Sequence, residues 1–257
     1  MSLLDKIKSM DRNSNAYTII YSSVMVIVVA MLLAIASTAL KPAQTKNIET
    51  EKKIDILRSI GKADGVEQAS NKHAFVSESF NKYIPEQLVV NSKGDTLTGV
   101  VAFNVDLKVE MSKPVEQRNL PVYKAKLDDG SVKYIIPLRG RGLWGPIWGY
   151  IALNDDLNTI YGATFAHQGE TPGLGAEIST PEFQQQFKGK SIFQGDSILT
   201  FTSVKVVKGG ASPNDPHGVD AISGGTITSK GLESMLFDCL AAYQNYFEKV
   251  KNSISHE

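Results

Sequence analysis

The sequence predicts an α+β protein: a single N-terminal transmembrane helix followed by an antiparallel-sheet domain with packed helices. Three observations carry this reading. Residues 16–40, AYTIIYSSVMVIVVAMLLAIASTAL, contain no charged side chain. From Leu88 onward, runs rich in Val, Ile, Tyr and Thr alternate with turn signals. Near the C-terminus, Leu232, Met235, Leu236, Cys239, Leu240, Tyr243, Tyr246, Phe247 and Val250 recur at three- and four-residue steps, the apolar stripe of a helix docked on a sheet.

The first segment is long enough to cross a bilayer. At about 1.5 Å per residue, a helix over 16–40 exceeds the roughly 30 Å hydrocarbon core. Tyr17 and Tyr21 stand at one end, where amphipathic rings favour the interface, and Lys41 and Pro42 are expected to stop the helix at the other. A cleavable signal peptide is the alternative, since Ala34-Ile35-Ala36 resembles a cleavage site. The run is longer than the usual h-region of roughly 7–15 residues, which favours a retained anchor. Lys6, Lys8 and Arg12 precede the span, whereas Lys41, Lys46, Lys52, Lys53 and Arg58 follow it. Charge bias therefore leaves the topology open, and that rule has little force for a long translocated domain.

The chain divides into four regions: a tail over 1–15, the span over 16–40, a helical connecting segment over 41–87, and the sheet domain over 88–257. In the connecting segment a helix from about Thr45 to Ile60 places Ile54, Leu57 and Ile60 on one face, and a second covers Glu67 to Tyr83. SKGD (92–95), DDGS (128–131) and NDD (154–156) are the turns between strands. A further strand pair is expected around Ser197 to Lys208, and the closing helix over 229–250, with Cys239 a small core residue of its stripe.

Composition excludes several chemistries. Zero formal net charge and 42% hydrophobic residues give no basic excess for a nucleic-acid binder. With one cysteine, an intrachain disulfide, a cysteine-ligated zinc, an iron–sulfur cluster and a CxxCH haem site are all out of reach, and no HExxH occurs among the four histidines. No metal site and no catalytic side chain is assigned. Redox chemistry in this chain needs a cofactor without cysteine ligands.

DAISGGTITS (220–229) opens the closing helix with five polar side chains around Gly224-Gly225. Unpaired amides at a helix N-terminus, with the positive end of its dipole, favour an anion such as phosphate. The two glycines permit close backbone approach, and Ser223, Thr226 and Thr228 offer hydroxyls that bond phosphate or become esterified. The plain alternative is a helix cap made by Ser or Thr beside a glycine turn. A hydrolase using Ser223 or Thr226 as nucleophile needs a base, and the nearest histidine, His217, sits outside the motif in a PNDPHG turn.

Asp220-Ala221-Ile222-Ser223-Gly224-Gly225-Thr226-Ile227-Thr228 resembles the flavinylation motif of FMN-binding domains. In that family a flavin transferase splits FAD and leaves FMN joined through its phosphate to the threonine after the small pair, which is Thr226 here. The family usually has Gly-Ala before that threonine, where this chain has Gly-Gly. Thr228 is the competing acceptor, and the resemblance alone selects Thr226.

HQGETPGLGAEI (167–178) resembles the ETPGLG segment of the same family. This implies a tight loop, made by Pro172, Gly173 and Gly175, that lies against the isoalloxazine ring, with Leu174 at its tip and Thr171 at the polar edge. His167 and Glu170 are read as hydrogen-bonding residues behind it. In GRGLWGPIWGYIAL (140–153), Gly140-x-Gly142-x-x-Gly145 satisfies the dinucleotide fingerprint, but the strand character of the residues after it excludes a Rossmann unit. The resemblance makes Leu143 and Trp144 candidates for ring contacts, while Trp148 is read as core packing.

NSNAYTII and LKPAQTKNIETEKKIDILRSIG (40–61) further resemble the C subunits of Na+-translocating NADH:quinone reductases. That resemblance covers nearly the whole chain and implies an electron-relay subunit in a bacterial inner membrane, with its soluble domain on the extracytoplasmic side. The implied partners are iron–sulfur-bearing membrane subunits as donor, a flavin-carrying B subunit as acceptor on the way to quinone, the flavin transferase during maturation, and the lipid bilayer. The alternatives are the G subunit of the related Rnf complex and an anchored flavin- or ligand-binding module without a pump.

Overall fold

The structure, a computed structural model, describes residues 11–195 and 200–254. The chain divides after Glu49 into two compact units, taken in turn. In the first, helix α1 (Asn15–Ser59) starts at Ser14, whose hydroxyl accepts from the Tyr17 amide at 3.2 Å in the manner of an N-cap. Val26, Leu32 and Leu33 are exposed along it, and it is long and apolar enough to cross a membrane. Lys41 and Pro42 do not end it, contrary to the sequence expectation, and the separate helix predicted from Thr45 is its continuation. A proline removes one amide donor, and Ala39, Leu40, Lys41, Ala43 and Gln44 around it are good helix formers.

The second unit begins with the last stretch of α1, where Ile54, Ile56 and Leu57 are fully buried. Helix α2 (Lys72–Tyr83) is shorter than predicted because Asn71 caps it, accepting from the Ala74 amide at 3.1 Å. Then come β1 (Glu86–Val90), β2 (Thr96–Leu97), the short α3 (Leu107–Glu110), β3 (Leu120–Lys126), β4 (Val132–Arg141), β5 (Pro146–Leu153), β6 (Ile160–His167) and the short α4 (Pro181–Gln185). The strands form one six-stranded antiparallel sheet in the order β2-β1-β3-β4-β5-β6. SKGD, DDGS and NDD fall at its turns, as the sequence predicts.

Helices cover both faces of this sheet. Tyr123, Ile135, Tyr150 and Ala152 pack with Ile54, Leu57, Val76 and Phe80 on one side. On the other, Val122, Ile136, Leu138 and Ile151 pack with Leu232, Leu236, Leu240 and Phe247. Successive side chains of a strand point to opposite faces, so a sheet buried on both sides needs apolar residues at consecutive positions. That is why β4 reads as the unbroken run YIIPL.

Two expectations change near the C-terminus. Strand β7 (Lys205–Val207) pairs in parallel with β8 (Gly218–Asp220), not with a neighbour inside 197–208; residues 197–199 of that predicted pair lie outside the described residues. The predicted 229–250 helix is two helices, α5 (Thr226–Ala241) and α6 (Gln244–Ile254). Between them, Ala242 and Tyr243 donate to the carbonyls of Cys239 and Leu240, three residues back, which tightens the turn. The buried Tyr243 hydroxyl donates to the Pro121 carbonyl at 2.9 Å, so anchoring into β3 accompanies the break. Cys239 is a core residue, as expected: burial pushes its thiol up to about 11.

Candidate functional site

Three segments distant in sequence converge at the start of α5. The first is the β4–β5 hairpin, closed by the Gly142 amide donating to the Gly145 carbonyl at 2.8 Å. Its tip carries Leu143 and Trp144, the latter 68% exposed. The GxGxxG pattern is thus a hairpin followed by β5, with no helix for a dinucleotide, while Trp148 on β5 is only half-buried. The second is the loop after β6. Gly173 turns it at φ +74°, and the Thr171 carbonyl accepts from the Leu174 and Ala176 amides, both at 3.1 Å. Leu174 remains 40% exposed.

Glu170 ties these segments together. Its buried carboxylate accepts from the Trp144 amide at 2.8 Å through Oε1 and from the Thr228 hydroxyl at 2.5 Å through Oε2. Its own amide donates to His167 Nδ1 at 3.1 Å. One side chain therefore fixes the hairpin, the loop and the helix start. Gly142 and Gly175 make room for it: a Cβ on either would run into the Glu170 carboxylate, and at Gly175 also into the Thr228 side chain.

The third segment is the motif itself. Gly225 occupies the N-cap position of α5 without a side-chain cap, and Ser229 is the residue whose amide first bonds back, to Gly225 O at 2.9 Å. The Ser229 hydroxyl instead accepts from the Ile222 amide at 3.2 Å. Among the described residues no side chain caps α5 at Gly225, so the plain helix-cap reading does not hold. Gly224 sits at φ +74°, where a Cβ would collide with the Leu174 side chain. The two threonines differ sharply: Thr226 is exposed, whereas Thr228 is 1% exposed with its hydroxyl engaged.

A cleft of ≈ 220 Å³ brings together Leu143, Trp144, Glu170, Thr171, Leu174, Gly224, Gly225, Thr226 and Thr228 from the sequence reading. Gly173 does not line it and serves the turn; Ser223 lines a second cleft of ≈ 640 Å³. Gly224 and Thr226 line both. Sequence reasoning missed Ile227, 57% exposed in the smaller cleft, and Lys208 and Lys230 in the larger. Ile227 departs from the apolar stripe of α5, which was a usable signal; nothing local marks the lysines. Neither lysine has an ion-pair partner among the described residues. They share the larger cleft with Thr226, the start of α5 and the carboxylate of Asp220, so two ammonium groups and a helix N-terminus, both of which attract phosphate, stand near Thr226.

Residues 142–241 match the FMN-binding domain family. Over 239 residues the chain is 30% identical to the C subunit of the Na(+)-translocating NADH-quinone reductase of Haemophilus ducreyi, covering 87% of this chain and 89% of that protein. It is 31% identical to the C subunit of Neisseria meningitidis serogroup B over 264 residues, covering 96% and 98%. The crystal structure of the C subunit of Parabacteroides distasonis superposes with a TM-score of 0.69 at 44% identity, covering 81% of this chain and 96% of that one. Such likeness reaches well beyond the flavin domain and along almost the full length, and the chain belongs to the family of C subunits of Na(+)-translocating NADH-quinone reductases.

Proposed function

We propose that this chain carries FMN esterified through its phosphate to Thr226 and works as the electron-relay subunit of a Na+-pumping NADH:quinone reductase. The observation that carries this is the contrast at the start of α5: the Thr226 hydroxyl lies open on two clefts, while Thr228 is buried and committed to Glu170. The residues present fit the group. The helix start and two lysines suit its phosphate, and Leu143, Trp144, Leu174 and Ile227 give an exposed apolar surface beside Thr226 for a flat ring.

In maturation, the Thr226 oxygen displaces AMP from FAD. A bond forms from Oγ to the phosphorus of the FMN half, the diphosphate P–O bond breaks, AMP leaves with the electron pair, and the hydroxyl proton is released. Bound FMN supplies a ring that takes up and gives back electrons. The chain's own work is to hold that ring. Glu170 locks hairpin, loop and helix into one wall, so Leu143, Trp144 and Leu174 are fixed relative to Thr226. A covalent tether keeps the ring at high effective concentration, so affinity does not require burying it, and an exposed ring suits exchange with partner subunits. In this reading NADH is oxidised elsewhere in the complex, iron–sulfur-bearing membrane subunits donate, and the flavin-carrying B subunit accepts. Helix α1 anchors the chain once in the inner membrane, with the sheet domain on the extracytoplasmic side.

The test is Thr226→Ala in the full chain, co-expressed with the flavin transferase. The expected product is folded and membrane-bound, with no ultraviolet-excited fluorescence in its denatured gel band. A persistent flavin band refutes the assignment.

A further inference from the structure

The larger cleft that Thr226 lines is walled in part by the loop that leaves β7. Lys208, Gly209 and Gly210 leave β7 with φ +87° and +102° at the two glycines, and the Gly210 amide reaches the Val207 carbonyl only at 3.3 Å. Asp220, the first residue of the motif, fastens this loop. Its carboxylate accepts from the Ala211 amide at 2.7 Å, just beyond the glycines, and its own amide donates to the Gln186 side chain at 2.8 Å. The next residue, Ala221, donates to the Val207 carbonyl at 3.0 Å, just before the loop. Lys208 and Thr226 then share one cleft.

We propose that Asp220 is a positioning residue for phosphate attachment: through Ala211 it holds the Lys208 ammonium in the cleft beside the Thr226 hydroxyl, where it receives the diphosphate of the flavin donor. This rests on Thr226 being the attachment point and adds what the distant end of the motif is for. A loop with consecutive left-handed glycines has many conformations to lose, and one charge-assisted hydrogen bond selects among them. The role belongs to the acceptor oxygen of Asp220, not to its charge at the reacting phosphorus. An asparagine, which keeps an acceptor in the same place, therefore substitutes for it.

The test follows attachment to the full-length chain in detergent, with purified flavin transferase and FAD. Initial rates come from in-gel fluorescence and intact mass, and thermal unfolding of each unmodified variant checks its fold. Asp220→Ala is expected to lower the attachment rate about tenfold, with Asp220→Asn within about threefold of the parent. Lys208→Ala should be slow by itself, and adding Asp220→Ala to it should slow it no further, because the two act as a unit. A purely structural role does not produce that non-additivity. Asp220→Asn as slow as Asp220→Ala, additive single effects, or parental rates throughout would each overturn the proposal. If Asp220→Ala fails to fold, Lys208→Ala decides, a parental rate being the contrary result. Thr226→Ala is the control that separates the two ideas: attachment to it sinks the Thr226 assignment itself, whatever Asp220 does.

Discussion

The Thr228 hydroxyl donates to the Glu170 carboxylate at 2.5 Å, across 58 residues of sequence, and both side chains are buried. This bond sets the start of α5 against the loop after β6 and keeps the Thr228 hydroxyl engaged. Thr228→Val keeps the shape and deletes the donor, leaving Glu170 with the Trp144 amide as its remaining partner at the cleft. The expected cost is about 1–3 kcal/mol in chemical denaturation, with FMN still attached. Unchanged stability contradicts the role given to this bond.

Gly224 and Gly225 are predicted to respond differently to alanine. Gly224 is left-handed, and its Cβ would strike Leu174, so Gly224→Ala should cost about 1–2 kcal/mol and impair attachment. Gly225 has φ −100°, open to any residue, and its Cβ would press mainly on the Ile222 side chain. Gly225→Ala should change stability by less than about 1 kcal/mol while attachment proceeds. Equal losses at both positions, measured by thermal unfolding and in-gel fluorescence, contradict this reading.

Trp144 is held by its backbone amide through Glu170 while its ring stands 68% exposed. Trp144→Ala should leave stability within about 0.5 kcal/mol, since the exposed ring contributes little to the core. Flavin attachment should persist, but the visible absorption of the native protein should shift once the ring loses that neighbour. A native spectrum identical to the parent's shows that Trp144 does not touch the flavin.

Cys239 donates to the Arg139 carbonyl at 3.4 Å, and burial raises its thiol to about 11. Near pH 8 almost none is thiolate, so a thiol reagent should label it slowly in the folded protein and fully after denaturation. Rapid native labelling contradicts the packing of α5 on β4.

Much of this was legible in the sequence, for physical reasons that also explain the failures. Turn dipeptides and β-branched runs located the strands because both act locally, and the apolar stripe located α5 because one face must meet the sheet. Leu143, Trp144, Thr171, Leu174 and Thr226, singled out in the sequence, line one cleft. The errors came from tertiary context. Pro42 reads as a stop, yet α1 passes through it. The break at Ala242–Tyr243 comes with a hydroxyl bond to Pro121, 122 residues away. Strand β7 takes a partner beyond a proline-bearing loop. Glu170 reads from the sequence as a hydrogen-bonding residue behind the loop, but its partners, the Trp144 amide and the Thr228 hydroxyl, are remote in sequence and nothing local names them.

The bond at Thr226 underlies the whole assignment, and the most direct measurement of it is fragment-ion mass spectrometry of the peptide spanning residues 209–230, prepared from native membranes. The predicted result is the mass of one esterified FMN, localised to Thr226 and absent from Ser223, Thr228 and Ser229. An unmodified peptide from a fully matured sample, or the added mass on Thr228, contradicts it.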